Sequence, residues 1–245
     1  MQKSGQIALF FIIGIISVAL IILAFYYRSS LTAGAAPSFP PEIEKIRLHV
    51  SGCFEEAAKQ NLLFLGIRGG YYNLPQDYLQ TYFADIPYAY FNAKNTFITM
   101  EELEAQFAAA VKDGINECID LSQFSRLSVS QPQPQLNIDI TDANVQAVLR
   151  YDLAATAGSS SYKVTDPYLY NMPVSLGRMY KVANTIASQT ARDNDFIDIS
   201  YLLKTGFEID MAPYDENNLI FLITDKNSLV DGIPLNFMFA NNYKT

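Results

Sequence analysis

The stretch from residue 7 to residue 27 reads IALFFIIGIISVALIILAFYY, an uninterrupted run without a charged residue. A helix rises about 1.5 Å per residue, so this run is long enough to cross the roughly 30 Å hydrocarbon core of a bilayer. Tyr26, Tyr27 and Arg28 end it in the manner of an interfacial belt. The sequence therefore predicts an N-terminal anchor at residues 1–28 that contacts the lipid bilayer through a transmembrane helix at 7–27.

The length of this run favours a permanent anchor over a cleaved secretory signal, whose apolar core is shorter. Small residues do follow at 32–36, so cleavage there stays open as an alternative. Basic residues do not decide the orientation, because Lys3 lies before the run while Arg28 and Lys45 lie behind it. We expect a single-pass protein of the cell membrane with its large C-terminal domain outside, because its cysteine usage suits an oxidising compartment.

The residues directly before the apolar run are Lys3-Ser4-Gly5-Gln6. They resemble the class III signal peptide of archaeal type IV pilins and related single-span surface proteins. In that family a membrane peptidase cuts after a small residue such as Gly5, and the apolar helix becomes the core of a filament. The resemblance implies a processing site at Gly5 and Gln6. The chain departs from the family at Ser4, where a second basic residue is usual, and at Phe10, where many bacterial-type pilins carry Glu.

Composition describes the rest of the chain as a folded, acidic domain. The formal net charge of the full chain is −8, and this acidic surface repels phosphate backbones, so we expect no nucleic-acid partner. Sixteen Tyr and sixteen Phe, with only 17% charged residues, are typical of a packed exterior domain and not of a disordered tail.

The chain divides into four parts by pattern. Small residues and prolines at 29–41 predict a linker. Residues 42–130 form a helical, aromatic-rich part, and residues 131–245 form a β-rich part with one long helix. This order predicts an α+β fold in which the helical part is membrane-proximal and extracytoplasmic.

Apolar spacing predicts a first helix from Glu42 that ends near Gly66. Thr99 and Glu102 have the spacing of a capping box that opens a second helix. A third helix follows Ser175, and a shorter one lies near 199–204. Strands are predicted at 136–141, 145–153, 162–164, 207–211, 219–224 and 235–240, turns at 158–161, 213–218 and 225–228, and irregular structure at 71–98.

The two cysteines lie on the apolar stripes of the first two helices. Packing those stripes together would bring Cys53 and Cys118 into contact, which predicts a disulfide. The alternative is two inert buried thiols, since free cysteine is among the most buried residue types.

No constellation in the chain predicts a chemistry. His49 is the only histidine, which rules out a multi-histidine metal site. The glycines at 66–70 follow a helix and lack a P-loop ending, and the acidic residues at 215–216 fit a solvated turn. We therefore predict no catalytic, cofactor-binding or metal-ligating residue.

Tyrosines crowd one segment and suggest an interaction surface, because tyrosine offers a large rigid contact area with a polar tip. The residues are Tyr71, Tyr72, Tyr78, Tyr82, Tyr88 and Tyr90. The alternative is that these rings cover an internal seam. We expect a non-enzymatic surface protein that binds a protein partner or assembles with itself. The other hypotheses are a pilin-like filament subunit cleaved after Gly5 and an anchored hydrolase of envelope polymers.

Overall fold

The computed structural model describes residues 40–124, 127–130, 132–157, 160–194 and 196–243. The predicted span at 7–27, most of the linker and the processing pair Gly5 and Gln6 lie outside these residues. Within the described part of the chain, no helix has both the length and the apolar character needed to cross a membrane. The described residues from Glu42 onward form one compact unit.

Helices and strands follow the predicted α+β order, with a helical N-terminal part and a β-rich C-terminal part. The helices are α1 (Pro41–Ile67), α2 (Met100–Cys118), α3 (Leu176–Arg192) and α4 (Ile199–Leu202), with a 3-10 turn at Ser122–Phe124. The strands are β1 (Tyr78–Gln80), β2 (Asp85–Phe91), β3 (Lys94–Asn95), β4 (Ser128–Val129), β5 (Gln135–Ile140), β6 (Val145–Arg150), β7 (Leu153–Ala157), β8 (Ser160–Val164), β9 (Tyr168–Met172), β10 (Glu208–Pro213), β11 (Asn218–Val230) and β12 (Ile233–Asn242).

Helix α1 begins with Pro41, whose fixed φ suits the first helical position. It ends where Gly70, at φ 92°, donates its N–H to the Leu65 carbonyl at 2.8 Å, a glycine C-cap. Its last turn lies against β12, because a Cβ added at Gly66 would stand 2.1 Å from the Asn236 carbonyl oxygen. Only glycine fits that contact.

Helix α2 opens with the predicted capping box. The Thr99 hydroxyl accepts the Glu102 N–H at 3.2 Å, and the Glu102 carboxylate accepts the Thr99 N–H at 3.0 Å. The helix packs on β5, where the Glu104 side chain accepts the Ile140 N–H at 3.0 Å. This bond satisfies a backbone donor of a sheet edge.

The main sheet has the order β1-β2-β12-β11-β10, and β3 pairs with β2. Strands β2 and β12 run parallel, and the other pairs are antiparallel. The five central residues of β2 are buried, so the strand is covered on both faces and shows no polar alternation. The prediction of irregular structure at 71–98 was wrong here, because an unalternating segment that contains Pro87 has no periodic signal.

The hairpin of β11 and β12 reverses at Asp231 and Gly232, which have φ values of 49° and 82°. Asp-Gly is a typical residue pair for such a turn. The turn predicted at 225–228 is wrong: these residues lie inside β11, where the register shifts between Asp225 and Leu229.

Two smaller sheets complete the domain, with orders β5-β6-β9 and β4-β7-β8. The single strand predicted at 145–153 is divided at Tyr151 and Asp152, where the chain passes from one sheet to the other. Helix α3 begins against the β5–β6 turn, because a Cβ at Gly177 would stand 2.4 Å from the Thr141 carbonyl oxygen.

Candidate functional site

The predicted disulfide is confirmed and joins α1 to α2. The Cα atoms of Cys53 and Cys118 are 5.6 Å apart. Cys53 is buried between the helices, whereas Cys118 is exposed at the end of α2. Neither residue is therefore a free thiol available for catalysis or metal binding.

The six tyrosines predicted as an interaction surface do not share one surface. Tyr88 and Tyr90 are only 8% and 5% exposed, because they lie in the covered strand β2. The Tyr88 hydroxyl donates to Asn218 Oδ1 at 3.1 Å, and burial raises the pKa of Tyr88. These two residues therefore belong to the core, as the alternative interpretation proposed.

Tyr71 and Tyr72 are half-buried beside α2. Burial raises the pKa of Tyr71 to about 12. The Tyr72 hydroxyl donates to Asp113 Oδ2 at 3.1 Å, which raises the pKa of Tyr72. The Tyr72 side chain holds the segment that follows α1 against α2, and of the six tyrosines only Tyr78 and Tyr82 are exposed, at 38% and 103%.

Two adjacent aromatic side chains are exposed on the turn between β1 and β2. Tyr82 is fully exposed at 103%, and its neighbour Phe83 is 69% exposed. We call these two residues the aromatic tip. A monomeric domain gains nothing in stability from two adjacent rings in water, so the aromatic tip is a candidate contact site.

Hydrogen bonds hold the backbone under the aromatic tip. The Thr81 N–H and hydroxyl both donate to the Ala84 carbonyl, at 3.0 and 2.6 Å. The Thr81 hydroxyl in turn accepts the Ala84 N–H at 3.0 Å. The turn is therefore closed on itself, and little backbone entropy would be lost when a partner contacts the rings.

A tyrosine that follows β10 contacts the end of β1, next to the same turn. Strands β1 and β10 lie at opposite edges, yet the hydroxyl of Tyr214, which follows β10, donates to the Gln80 carbonyl at 3.4 Å. Tyr78 and Tyr214 are 38% and 46% exposed and extend the aromatic surface. A small hydrophobic cluster is formed by buried residues of β1, β2, β11 and β12: Leu79, Ile86, Tyr88, Ile220, Met238 and Ala240.

Three carboxylates lie close to the aromatic tip or to Tyr88. Asp85 is the register partner of Gln80, next to the aromatic tip. Asp77 and Asp215 lie near enough to Tyr88 to add to its raised pKa, after the larger effect of burial. Asp215 also accepts the N–H groups of Asn217 and Asn218 at 2.8 and 2.9 Å, which makes it the predicted turn residue.

A buried polar cluster lies elsewhere, in the bulge of β11. The Asp225 carboxylate accepts bonds from the hydroxyls of Ser175 and Ser228 and from the Asn227 N–H. Burial opposes the ionisation of Asp225, but the hydroxyl and backbone N–H groups outweigh it, so the pKa of Asp225 is lowered. All three side chains are buried, and the cluster fastens the start of α3 to the sheet.

His49 takes no part in a polar cluster of this kind. Its Nε2 lies 3.2 Å from the Gln123 side-chain amide, and its ring contacts Phe124. Among the described residues, no group of three or more His, Cys, Asp or Glu side chains is placed to hold a metal ion.

Sequence reasoning found Tyr82 but missed Phe83, Tyr214 and the Ser175–Asp225 contact. The pair Tyr82-Phe83 next to Thr81 is a signal that could have been used, because threonine closes short turns. No family model, curated protein or solved structure matches this chain.

Proposed function

We propose that this protein is a membrane-anchored, extracytoplasmic surface protein with a structural or interaction role and no catalytic step. The apolar run at 7–27 supports the anchor, because its length suits a bilayer. The Cys53–Cys118 disulfide supports an exterior location, because disulfides persist in oxidising compartments.

The observation that carries the interaction role is the aromatic tip. Two rings exposed on a hydrogen-bonded turn give a partner a rigid, apolar contact, and aromatic residues dominate the energetics of protein interfaces. Asp85 next to the tip, with Asp77 and Asp215 near Tyr88, favours a partner surface that carries basic residues.

Photo-crosslinking of the full chain in its native membrane tests this role. We expect p-benzoylphenylalanine at position 82 to give one discrete, saturable protein adduct, identified by mass spectrometry. Leu169, 63% exposed on another surface, is the control position and should give no such adduct. Phe83→Ser should weaken the adduct, since it removes half of the aromatic tip. Equal labelling from positions 82 and 169 would refute the interaction role.

Intact mass of the membrane-extracted protein tests location. A gain of about two daltons on reduction, in protein trapped with an alkylating agent at lysis, would establish the bridge in the cell. Fully alkylated Cys53 and Cys118 would instead contradict the exterior placement.

A filament subunit is the second candidate, and Lys3-Ser4-Gly5-Gln6 before the apolar run favours it. Cleavage after Gly5 would free the apolar helix for self-assembly, and small residues such as Gly14 would allow close helix approach. The same mass measurement separates the two candidates. A mass lacking residues 1–5 supports the filament, and a mass retaining them supports a permanent tether.

A further inference from the structure

A second concave surface lies between α1 and α2, away from the aromatic tip. It is a groove of about 640 Å³ whose floor contains the disulfide. Its lining residues are Cys53, Glu56, Ala57, Gln60, Asn61, Phe64, Tyr72, Ala110, Asp113, Gly114, Glu117 and Cys118. We call it the inter-helix groove.

Small residues give the groove its shape. A Cβ added at Gly114 would stand 3.0 Å from the Ala57 Cβ and 3.2 Å from Asn61 Nδ2, so α1 and α2 approach closely there. The longer side chains of Glu56 and Glu117 are exposed on the two sides. The closely packed backbones of α1 and α2 thus form the bottom of the groove, and the polar side chains of Glu56 and Glu117 form its sides.

The charged residues that line the groove are all acidic. Glu56, Asp113 and Glu117 line it, and none of its lining residues is basic. The Tyr72 hydroxyl already donates to Asp113, but a carboxylate has room for several donors. The complementary ligand is an extended cation whose basic groups meet these carboxylates one at a time.

One cation of this chain already lies at the aromatic end of the groove. Phe64 and Tyr72 meet edge to face at 6.4 Å, and the Arg68 guanidinium of this chain lies over the Phe64 ring at 4.7 Å. Aromatic faces beside carboxylates attract guanidinium and ammonium groups through cation–π and ionic terms together.

We propose that the inter-helix groove binds a peptide segment of a partner protein that carries arginine or lysine side chains. Cys53 and Phe64 are eleven residues apart on α1, so the groove runs about 16 Å along the helix and accommodates roughly five extended residues. The assignment deepens the proposed interaction role but uses residues separate from the aromatic tip.

Binding of a defined probe to the full chain in detergent micelles tests the assignment. The probe is a fluorescein-labelled peptide of alternating arginine and glycine, and the reference peptide has glutamine in place of arginine. At about 50 mM salt, where screening is weak, we expect the arginine peptide to bind at least ten times more tightly than the reference.

Matched charge variants identify the site. The groove variant carries Glu56→Gln, Asp113→Asn and Glu117→Gln and should weaken binding at least tenfold. The control variant removes the same charge at exposed positions elsewhere, with Asp139→Asn, Asp166→Asn and Asp210→Asn, and should change binding less than twofold. Equal weakening by the two variants would show diffuse attraction and overturn the assignment.

The disulfide on the groove floor provides a positional readout. A bound peptide should slow the reduction of Cys53–Cys118 by dithiothreitol at least threefold, because it covers the exposed Cys118. The rates with and without peptide are compared within each variant, and the groove variant should show no slowing. Binding without protection in the unmodified chain would also overturn the assignment. The crosslinking result at position 82 is independent of this outcome, so the two proposals can fail separately.

Discussion

Removal of the Cys53–Cys118 disulfide should cost about 4 kcal/mol of unfolding free energy. The bridge closes a loop between positions 65 residues apart. In the chain-entropy model, a loop of this length restricts the unfolded chain by about 14 cal/mol/K, or about 4 kcal/mol at 25 °C. The variant Cys53→Ala/Cys118→Ala keeps small apolar side chains at both positions.

The effect should arise mainly in the unfolded chain, because the helices have other contacts in the folded one. The inner stripe of α2 is buried along its length, from Leu103 through Phe107 to Ile115. Glu104 additionally fastens α2 to β5. We therefore expect the folded variant to keep the same helix content and near-ultraviolet tyrosine signal.

Guanidinium unfolding of the full chain in mild detergent, followed by circular dichroism, measures the cost. With a slope of about 4 kcal/mol/M for a domain of this size, the midpoint should fall by about 1 M. The unmodified chain unfolded with reductant is the matched control and should agree with the variant within about 1 kcal/mol. A loss below about 1 kcal/mol would refute the loop-closure reasoning, as would a variant much less stable than the reduced protein.

Three further local features are tested by substitutions with the same unfolding measurement. Asp225→Asn should cost about 2 kcal/mol at pH 7, because it replaces the charged acceptor of a buried cluster. Since the folded pKa of Asp225 is lowered, its stabilisation is present above about pH 4 and is lost as the pH falls through the folded pKa. A difference in unfolding free energy between variant and unmodified chain that stays unchanged at pH 2 would contradict the assignment. Gly177→Ala should cost about 1–3 kcal/mol because its Cβ would overlap a backbone carbonyl. Gly52→Ala in α1 has open space around its Cβ and should stabilise the protein by up to about 1 kcal/mol. Changes of the same sign in the two unfolding free energies would refute the packing argument. Thr99→Ala should cost about 1 kcal/mol by removing the capping box with Glu102, and an unchanged midpoint would show that the cap contributes nothing.

Features that depend only on residues close together in the chain could be predicted from the sequence. The start of α2 depends on residues three positions apart, Thr99 and Glu102, so the capping box was visible without any knowledge of the fold. The disulfide followed from helical periodicity, because the apolar spacing places Cys53 and Cys118 on facing sides of the two helices, although Cys118 at the end of α2 is exposed. The α+β class followed from the order of the same periodic segments.

Features that depend on distant pairing were not predictable. Strand β2 is stabilised by β12, whose partner residues Ala240 and Asn241 lie about 150 positions later in the chain. The register shift in β11 was likewise not predictable from the sequence. Asp225 does accept the Asn227 N–H as a turn residue would, yet the chain continues as a strand because Leu229 and Val230 pair across the Asp231-Gly232 turn.

The tyrosine-rich segment shows why composition alone could not locate a contact surface. Tyr82 and Tyr88 are six positions apart and chemically identical, but one lies on an unpaired turn and the other in a strand covered on both faces. The difference arises from β12, which is formed by the last residues of the described chain. The sequence of the tyrosine-rich segment alone therefore could not predict it. A crosslinker at position 82 therefore reports on a partner, whereas one at position 88 would react within the core. This contrast makes Tyr88 an internal reference: adducts with other proteins from position 82 but only intramolecular ones from 88 would show that exposure, and not tyrosine content, defines the contact.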